Sequence, residues 1–280
     1  MLLRILTSVI AVAIFLPILF LSETYVFIAA IVLISILCIF ELLRCMKLQK
    51  NFALSVPLYI FSVAVPFLLR FLKGYMSSFT KIAVLFGVIY LMYLFVLVIT
   101  SHGKLTFNAA MSAYIAVLYI IISLNSIIYV RDHAEHGQYI YLLVFLGAWV
   151  TDTFAYFTGY LFGKHKLIED VSPKKTVEGS IGGIIFCAIS FVTFGQIINQ
   201  YFGTNANIIF LLVSGVFISV IAQIGDLIMS VVKRQNNIKD YGKFFPGHGG
   251  MIDRFDSVLA TSAGVAVICL IASLFGISIL

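Results

Sequence analysis

The chain has 280 residues, of which 62% are hydrophobic and only 11% charged, and its mean hydropathy is +1.11. Ordinary soluble domains are about a quarter charged, so these values exclude a soluble globular domain and point to an all-α polytopic membrane protein. The formal net charge of +6 raises nucleic acid as a partner. However, the cations lie in short loops beside apolar segments, without a basic arm, and the positive-inside bias accounts for them.

Apolar windows long enough to span a bilayer fall at roughly 5–22, 24–43, 52–70, 82–101, 106–130, 139–162, 179–202, 207–232 and 257–279. About nine transmembrane helices are expected, the fifth interrupted by Asn108 and Asn125. The first window has the length of a signal peptide but no convincing small-residue cleavage site, so a retained helix is expected, with no soluble tail at either end. Cys38, Cys187 and Cys269 fall within apolar segments and Cys45 just beyond one. Without CxxC spacing, free thiols are expected rather than a disulfide or zinc site.

Helices one to five carry almost no ionisable residue in their centres, whereas six to nine and their loops carry the polar set. The chain therefore divides into an N-terminal transmembrane scaffold, 1–131, and a C-terminal catalytic half, 132–280. With the N-terminus in the cytoplasm, 14 of the 18 Lys and Arg fall on the cytoplasmic side, among them Arg4, Arg44 and the basic loops after helices six and eight. Arg70, Lys73, Lys81 and Arg131 fall outside. This bias sets the expected orientation.

The sixth helix contains Asp152, with Tyr156, Gly159 and Gly163 near the same face. The glycines predict close helix packing with the carboxylate turned inward, as a metal ligand, a partner to one, or a structural acceptor. The following loop reads Ser172-Pro173-Lys174-Lys175-Thr176-Val177-Glu178-Gly179. Ser then Pro is a good N-cap and N1 pair. The two lysines suit a polyphosphate or anionic headgroup, or simply an ordinary cytoplasmic loop.

If the eighth helix runs to about Val232, Asp226 lies ~10 Å from its end, with Ser230 and Lys233 on the same face. An ionisable group within a membrane segment marks function by default. The bland alternative is a structural pair with Lys233. Arg234 follows, then a loop containing Lys239 and Asp240. Pro246-Gly247-His248-Gly249-Gly250 is a tight turn before the last helix, whose N–H groups and dipole suit an anion. His248 would donate to a phosphate or satisfy a loop carbonyl.

Asp253 and Asp256 share a face if the ninth helix begins near Gly250. With Asp226 they form an oxygen-rich set of the kind that holds Mg²⁺ together with substrate phosphates. For one of them, helix capping or neutralisation by Arg254 remains the alternative.

Three blocks carry a family resemblance. They are Asp152, Ala155, Tyr156 and Gly159; then Ser172 to Thr176 with Glu178 and Gly179; then the run from Ser230, Lys233 and Arg234 through Lys239, Asp240, Gly242, Phe245, Pro246, His248, Gly249 and Gly250 to Asp253, Arg254 and Asp256. In this order they resemble the phosphatidate cytidylyltransferases, or CDP-diacylglycerol synthases. The likeness covers the C-terminal half; helices one to five match only in being hydrophobic.

The resemblance implies a membrane enzyme that joins CTP to phosphatidic acid, giving CDP-diacylglycerol and pyrophosphate, and that requires Mg²⁺, with a second cation left open. It implies catalytic roles for Asp226, Asp253, Asp256, Lys233, Arg234 and His248, the three carboxylates being the metal ligands. Substrate contacts would come from Ser172, Lys174, Lys175, Ser230, Lys239, Gly249, Gly250, Arg254 and Asp152. The expected partners are CTP, phosphatidic acid and the bilayer, with a homodimer left open; the expected location is a bacterial plasma membrane.

Two rivals are another CTP-dependent lipid enzyme and an ion-coupled transporter. The DxxDGxxAR arrangement of CDP-alcohol phosphotransferases is absent. A transporter needs access from both sides, whereas the polar residues here cluster toward one.

Overall fold

The computed structural model describes residues 2–245 and 249–280, with side chains described outside 2–9, 11 and 78. Pro246, Gly247 and His248, with the anion role expected of that turn, lie outside the described residues, as does the side chain of Arg4.

In chain order the elements are α1 (Leu2–Phe20), α2 (Tyr25–Cys45), α3 (Phe52–Phe71), α4 (Met76–Thr100), α5 (Phe107–His133), the single turn α6 (Gly137–Ile140) and α7 (Leu142–Phe162). Two short strands follow, β1 (Lys166–Ile168) and β2 (Ser172–Thr176), and then α8 (Val177–Phe202), α9 (Ile208–Gln235) and α10 (Ile252–Phe275). Among the described residues, eight helical stretches are long and apolar enough to cross a membrane, from Tyr25–Cys45 to Ile252–Phe275. α1 coincides with the remaining expected window. The protein is an all-α polytopic integral membrane protein. Its four cysteines are buried and form no disulfide with one another.

Three local expectations need correction. α5 is continuous through Asn125, because that side chain donates to the Ile121 carbonyl at 2.8 Å and so satisfies its amide within its own helix. Ser172 and Pro173 do not start α8; they pair in a β-hairpin, with Ile168 opposite Ser172 and Lys166 opposite Thr176. Thr176 is the true N-cap, its hydroxyl accepting from Gly179 N at 3.1 Å. Pro173 has no N–H to lose, so an edge position in the hairpin suits it equally. Finally, α10 begins at Ile252, ahead of the 257–279 window and close to the Gly250 start expected from the carboxylate spacing.

The chain forms two compact units: Met1–Ile128 with Ile238–Asp253, and Tyr129–Asn237 with Arg254–Leu280. In the first, α2 packs on α3 and α3 on α4. Tyrosine hydroxyls bind backbone carbonyls across these helices, Tyr90 to Leu54 at 2.8 Å and Tyr114 to Gly87 at 3.0 Å. Arg70, at the end of α3, caps the α1–α2 turn through the carbonyls of Ser22 and Glu23 at 3.0 and 2.9 Å.

In the second unit α7 packs along α8, and α8 along α9. Lipid removes the hydrophobic drive between helices, so close approach and interhelical hydrogen bonds must hold them together. The expected glycine face of α7 provides that approach: a Cβ on Gly159 would stand 2.8 Å from Thr176 Oγ1. Thr151 donates to Ser219 at 2.9 Å, Gln223 to the Ser180 carbonyl at 3.3 Å and Thr261 to the Val144 carbonyl at 3.0 Å. These bonds join α7 to α9 and α10, and α8 to α9.

Candidate active site

Within the second unit, carboxylates from three helices lie within electrostatic reach of one another. Asp152 of α7 accepts from the Ser257 hydroxyl at 2.8 Å. Asp256, one residue earlier on α10 and 8% exposed, accepts from the Ser257 amide at 2.9 Å. Its side chain also hydrogen-bonds that of Asp226 on α9. Asp226 in turn forms an ion pair with Lys175 of β2.

Two facing carboxylates repel unless a proton or a cation stands between them. Cationic charge surrounds this pair: Lys175 and Lys233 act electrostatically on Asp226, Lys233 on Asp256, and Lys175 and Arg254 on Asp152. Gly225 lets α9 and α10 approach at this point, since a Cβ there would collide with Ala260. Ser230 is buried on the face expected of it, one turn beyond Asp226.

α9 continues to Gln235 rather than Val232, which places Asp226 about 14 Å from the helix end at 1.5 Å per residue. Lys233 and Arg234 occupy the last turn of α9, where positive charge favours the helix dipole. Arg234 Nε points to the Val171 carbonyl at 3.5 Å.

The hairpin separates the two lysines that the sequence presents as equivalent. Successive strand residues point to opposite faces; Lys175 turns to Asp226, while Lys174 is exposed. Lys175 is therefore more than an ordinary loop cation, being paired with a carboxylate of α9. Glu178, in the first turn of α8, bonds His165 Nδ1 at 2.6 Å and accepts from the Lys164 and His165 amides. It thereby ties the hairpin's entry to the helix.

The first unit holds the other part of the signature. Asp253 Oδ2 accepts from both Tyr241 N and Gly250 N at 2.8 Å. The bond back to Gly250 is the reaching-back arm of a helix cap, so the capping alternative for Asp253 is met. The Gly250 N–H is thereby committed to Asp253. Gly249 takes φ +91°, and Phe245 N donates to its carbonyl at 3.0 Å. Lys239 and Asp240 are exposed.

Two residues in this unit carry site architecture that the sequence reading overlooked. Glu41 of α2, only 4% exposed, accepts from Ile252 N at 3.0 Å and also from Met251 N. Arg44, one turn on, donates to the Tyr241 carbonyl at 2.7 Å. Left without an acceptor, each buried N–H would cost about 1–3 kcal/mol. A carboxylate near the end of an otherwise apolar helix, with Arg at i+3, was the signal available. Ser257 was also overlooked; its position immediately after Asp256 gave no separate signal.

A family model described as the Cytidylyltransferase family matches residues 2–272 of the chain. Curated relatives include a phosphatidate cytidylyltransferase of Bacillus subtilis (strain 168), 35% identical over 261 residues, which cover 91% of this chain and 93% of that one. A second, from Staphylococcus haemolyticus, is 35% identical over 258 residues, 91% and 94% of the two chains. A third, from Staphylococcus aureus (strain COL), is 32% identical over 257 residues, with the same coverage. The match runs through the apolar first half as well as the polar second half, and on that extent the chain belongs to the cytidylyltransferase family.

Proposed function

We propose that this protein transfers the cytidylyl group of CTP to phosphatidic acid, forming CDP-diacylglycerol and releasing pyrophosphate. The observation that carries the reading is the set in the second unit: carboxylates of α7, α9 and α10 gathered with Lys175, Lys233 and Arg254. The relatives' name, phosphatidate cytidylyltransferase, supplies the substrate class.

The chemistry asks little of a general base. A phosphate monoester is already anionic near neutral pH; its oxygen bonds to the α-phosphorus of CTP as the bond to the β-phosphate oxygen breaks. The enzyme must hold two polyanions together and offset the charge that develops at phosphorus. Lys175, Lys233 and Arg254 provide positive charge for this, with Lys174 and Arg234 at the exposed edge. Substrate phosphate would compete with Asp226 for the Lys175 ammonium, so the ion pair holds the lysine in position beforehand. Acyl chains would stay in lipid while the headgroup reaches the carboxylates.

The donor set fits Mg²⁺. It is all oxygen, the ligand type that Mg²⁺ takes; separately, among the described residues no group of three or more Asp, Glu, His or Cys side chains is placed to hold a metal ion. Mg²⁺ is usually held by one or two carboxylates, with phosphates and water completing its shell. Asp226 and Asp256 would be the ligands in the second unit. Asp253, at the start of α10 in the first unit, is proposed as a further metal ligand. When bound, the ion would supply Lewis-acid chemistry, offsetting negative charge on the substrate phosphates.

The test is direct: purified protein with labelled CTP, phosphatidic acid and Mg²⁺ should yield a lipid-soluble cytidine product. A lipid-soluble product from a different lipid acceptor, with none from phosphatidic acid, would make it another CTP-dependent lipid enzyme. We infer a cytoplasmic active site from the 14 Lys and Arg that fall on the N-terminal side. Cysteines at Lys239 and Arg70, in a background without native cysteines, should label from opposite sides of intact cells. Labelling of both from outside would overturn the orientation.

A further inference from the structure

We propose that Glu41 and Arg44, in the last turns of α2, are positioning residues: they hold the two ends of the 241–252 segment and so fix the direction of Asp253, which follows it. The inference rests on the reading of Asp253 as a metal ligand. Arg44 binds its entry through the Tyr241 carbonyl at 2.7 Å. Glu41 binds its exit through the amides of Met251 and Ile252. Asp253 joins the two ends, accepting from Tyr241 N and Gly250 N at 2.8 Å each.

The fit around Glu41 is close. A Cβ on Gly242 or on Gly250 would collide with its carboxylate, so both strands of the loop pass against the same side chain. Tyr241 is 1% exposed and Ile252 fully buried. Between these anchors Lys243 and Phe244 are exposed. The anchors therefore hold the ends, and Lys243 stays accessible between them. Glu41 also fixes the two amides immediately before Asp253, and through them the direction of a carboxylate proposed to bind Mg²⁺. A carboxylate that only filled space at this depth would be replaced by leucine at no loss. One that accepts two backbone N–H groups from a segment about 210 residues away sets a loop conformation.

The experiment uses the full-length purified protein with Glu41→Gln, Arg44→Met and Arg44→Lys. Glu41→Gln keeps the shape but offers one acceptor oxygen in place of two; Arg44→Met keeps the stem and removes the donor. Three readouts apply: turnover per folded molecule, the Mg²⁺ concentration for half-maximal rate, and the rate of tryptic cleavage after Lys243 without substrate. We expect Glu41→Gln to lower kcat about tenfold, because a small misplacement of reacting groups is costly. It should also raise the half-maximal Mg²⁺ and speed cleavage after Lys243. Arg44→Met should do the same to a lesser degree, and Arg44→Lys should recover most of the loss.

A lower melting midpoint with unchanged turnover, Mg²⁺ dependence and cleavage rate would make the pair structural and overturn the proposal. Should Glu41→Gln fail to fold, the exposed Arg44 variants decide by the same readouts. A wild-type protein inactive on CTP and phosphatidic acid would instead refute the proposed function; faster cleavage in the variants would then still support the clamp, and unchanged cleavage would refute it.

Discussion

Glu41 in the first unit and Asp256 in the second are both carboxylates held almost out of reach of solvent, at 4% and 8% exposure. Their partners differ in kind. Glu41 accepts from backbone amides of the α10 entrance, donors that are covalently fixed and have no other task. Asp256 faces Asp226, with Lys175 and Lys233 close by. Lysine ammonium groups sit on flexible stems and can turn to a phosphate, and a carboxylate pair can take a cation between its members. An intramembrane carboxylate is thus not by itself a mark of chemistry; the class of its partners separates a scaffold from a reaction site.

The comparison breaks most decisively at the carboxylate pair. Asp226→Asn should cut turnover by about 100- to 1,000-fold, the loss typical when one group stabilising transition-state charge is removed. The folded yield should hold, because Asn can still hydrogen-bond Asp256; near-normal kinetics would remove Asp226 from the site. Asp253→Asn should be comparably severe if its carboxylate holds a cation, and near-normal kinetics would remove Asp253 from the metal ligands.

The two lysines sharpen the contrast between fixed and displaceable partners. Lys175→Gln should raise the apparent KM for CTP or phosphatidic acid about tenfold, in line with the loss of one charge-assisted contact. Lys174→Gln should change KM by no more than about twofold, because an exposed cation is screened. Equal effects would mean that the Lys175–Asp226 pair does not prepare the lysine for substrate.

On the scaffold side, Gly242→Ala should lower stability by about 1–3 kcal/mol through overpacking against Glu41, read as a lower melting midpoint in detergent. An unchanged midpoint would show that Glu41 can move aside. The smallest effect is expected for His165→Ala. His165 is exposed, so loss of its bond to Glu178 should leave the melting midpoint within error; a clear drop would give the hairpin's entry a larger part in folding.

Much of this was legible in the sequence because bilayer thickness and helical rise are fixed, and long apolar runs at that length have one solution. Asp152, Asp226, Asp253 and Asp256 stood out for the same reason: a carboxylate beside such a run is conspicuous. The glycine face of α7 was readable from its period alone. What lay beyond the sequence was which groups meet. Ser172 and Pro173 carry a good helix-start signal, yet the hairpin satisfied their backbone first and left the cap to Thr176. Lys174 and Lys175 differ by one position, and only strand pairing assigns them to opposite faces. Glu41 and Ile252 stand about 210 residues apart, and no local pattern records a hydrogen bond of that range. Local propensity and hydrophobic period belong to short windows of chain, whereas pairing of buried polar groups is decided by whatever the folded backbone brings within about 3 Å.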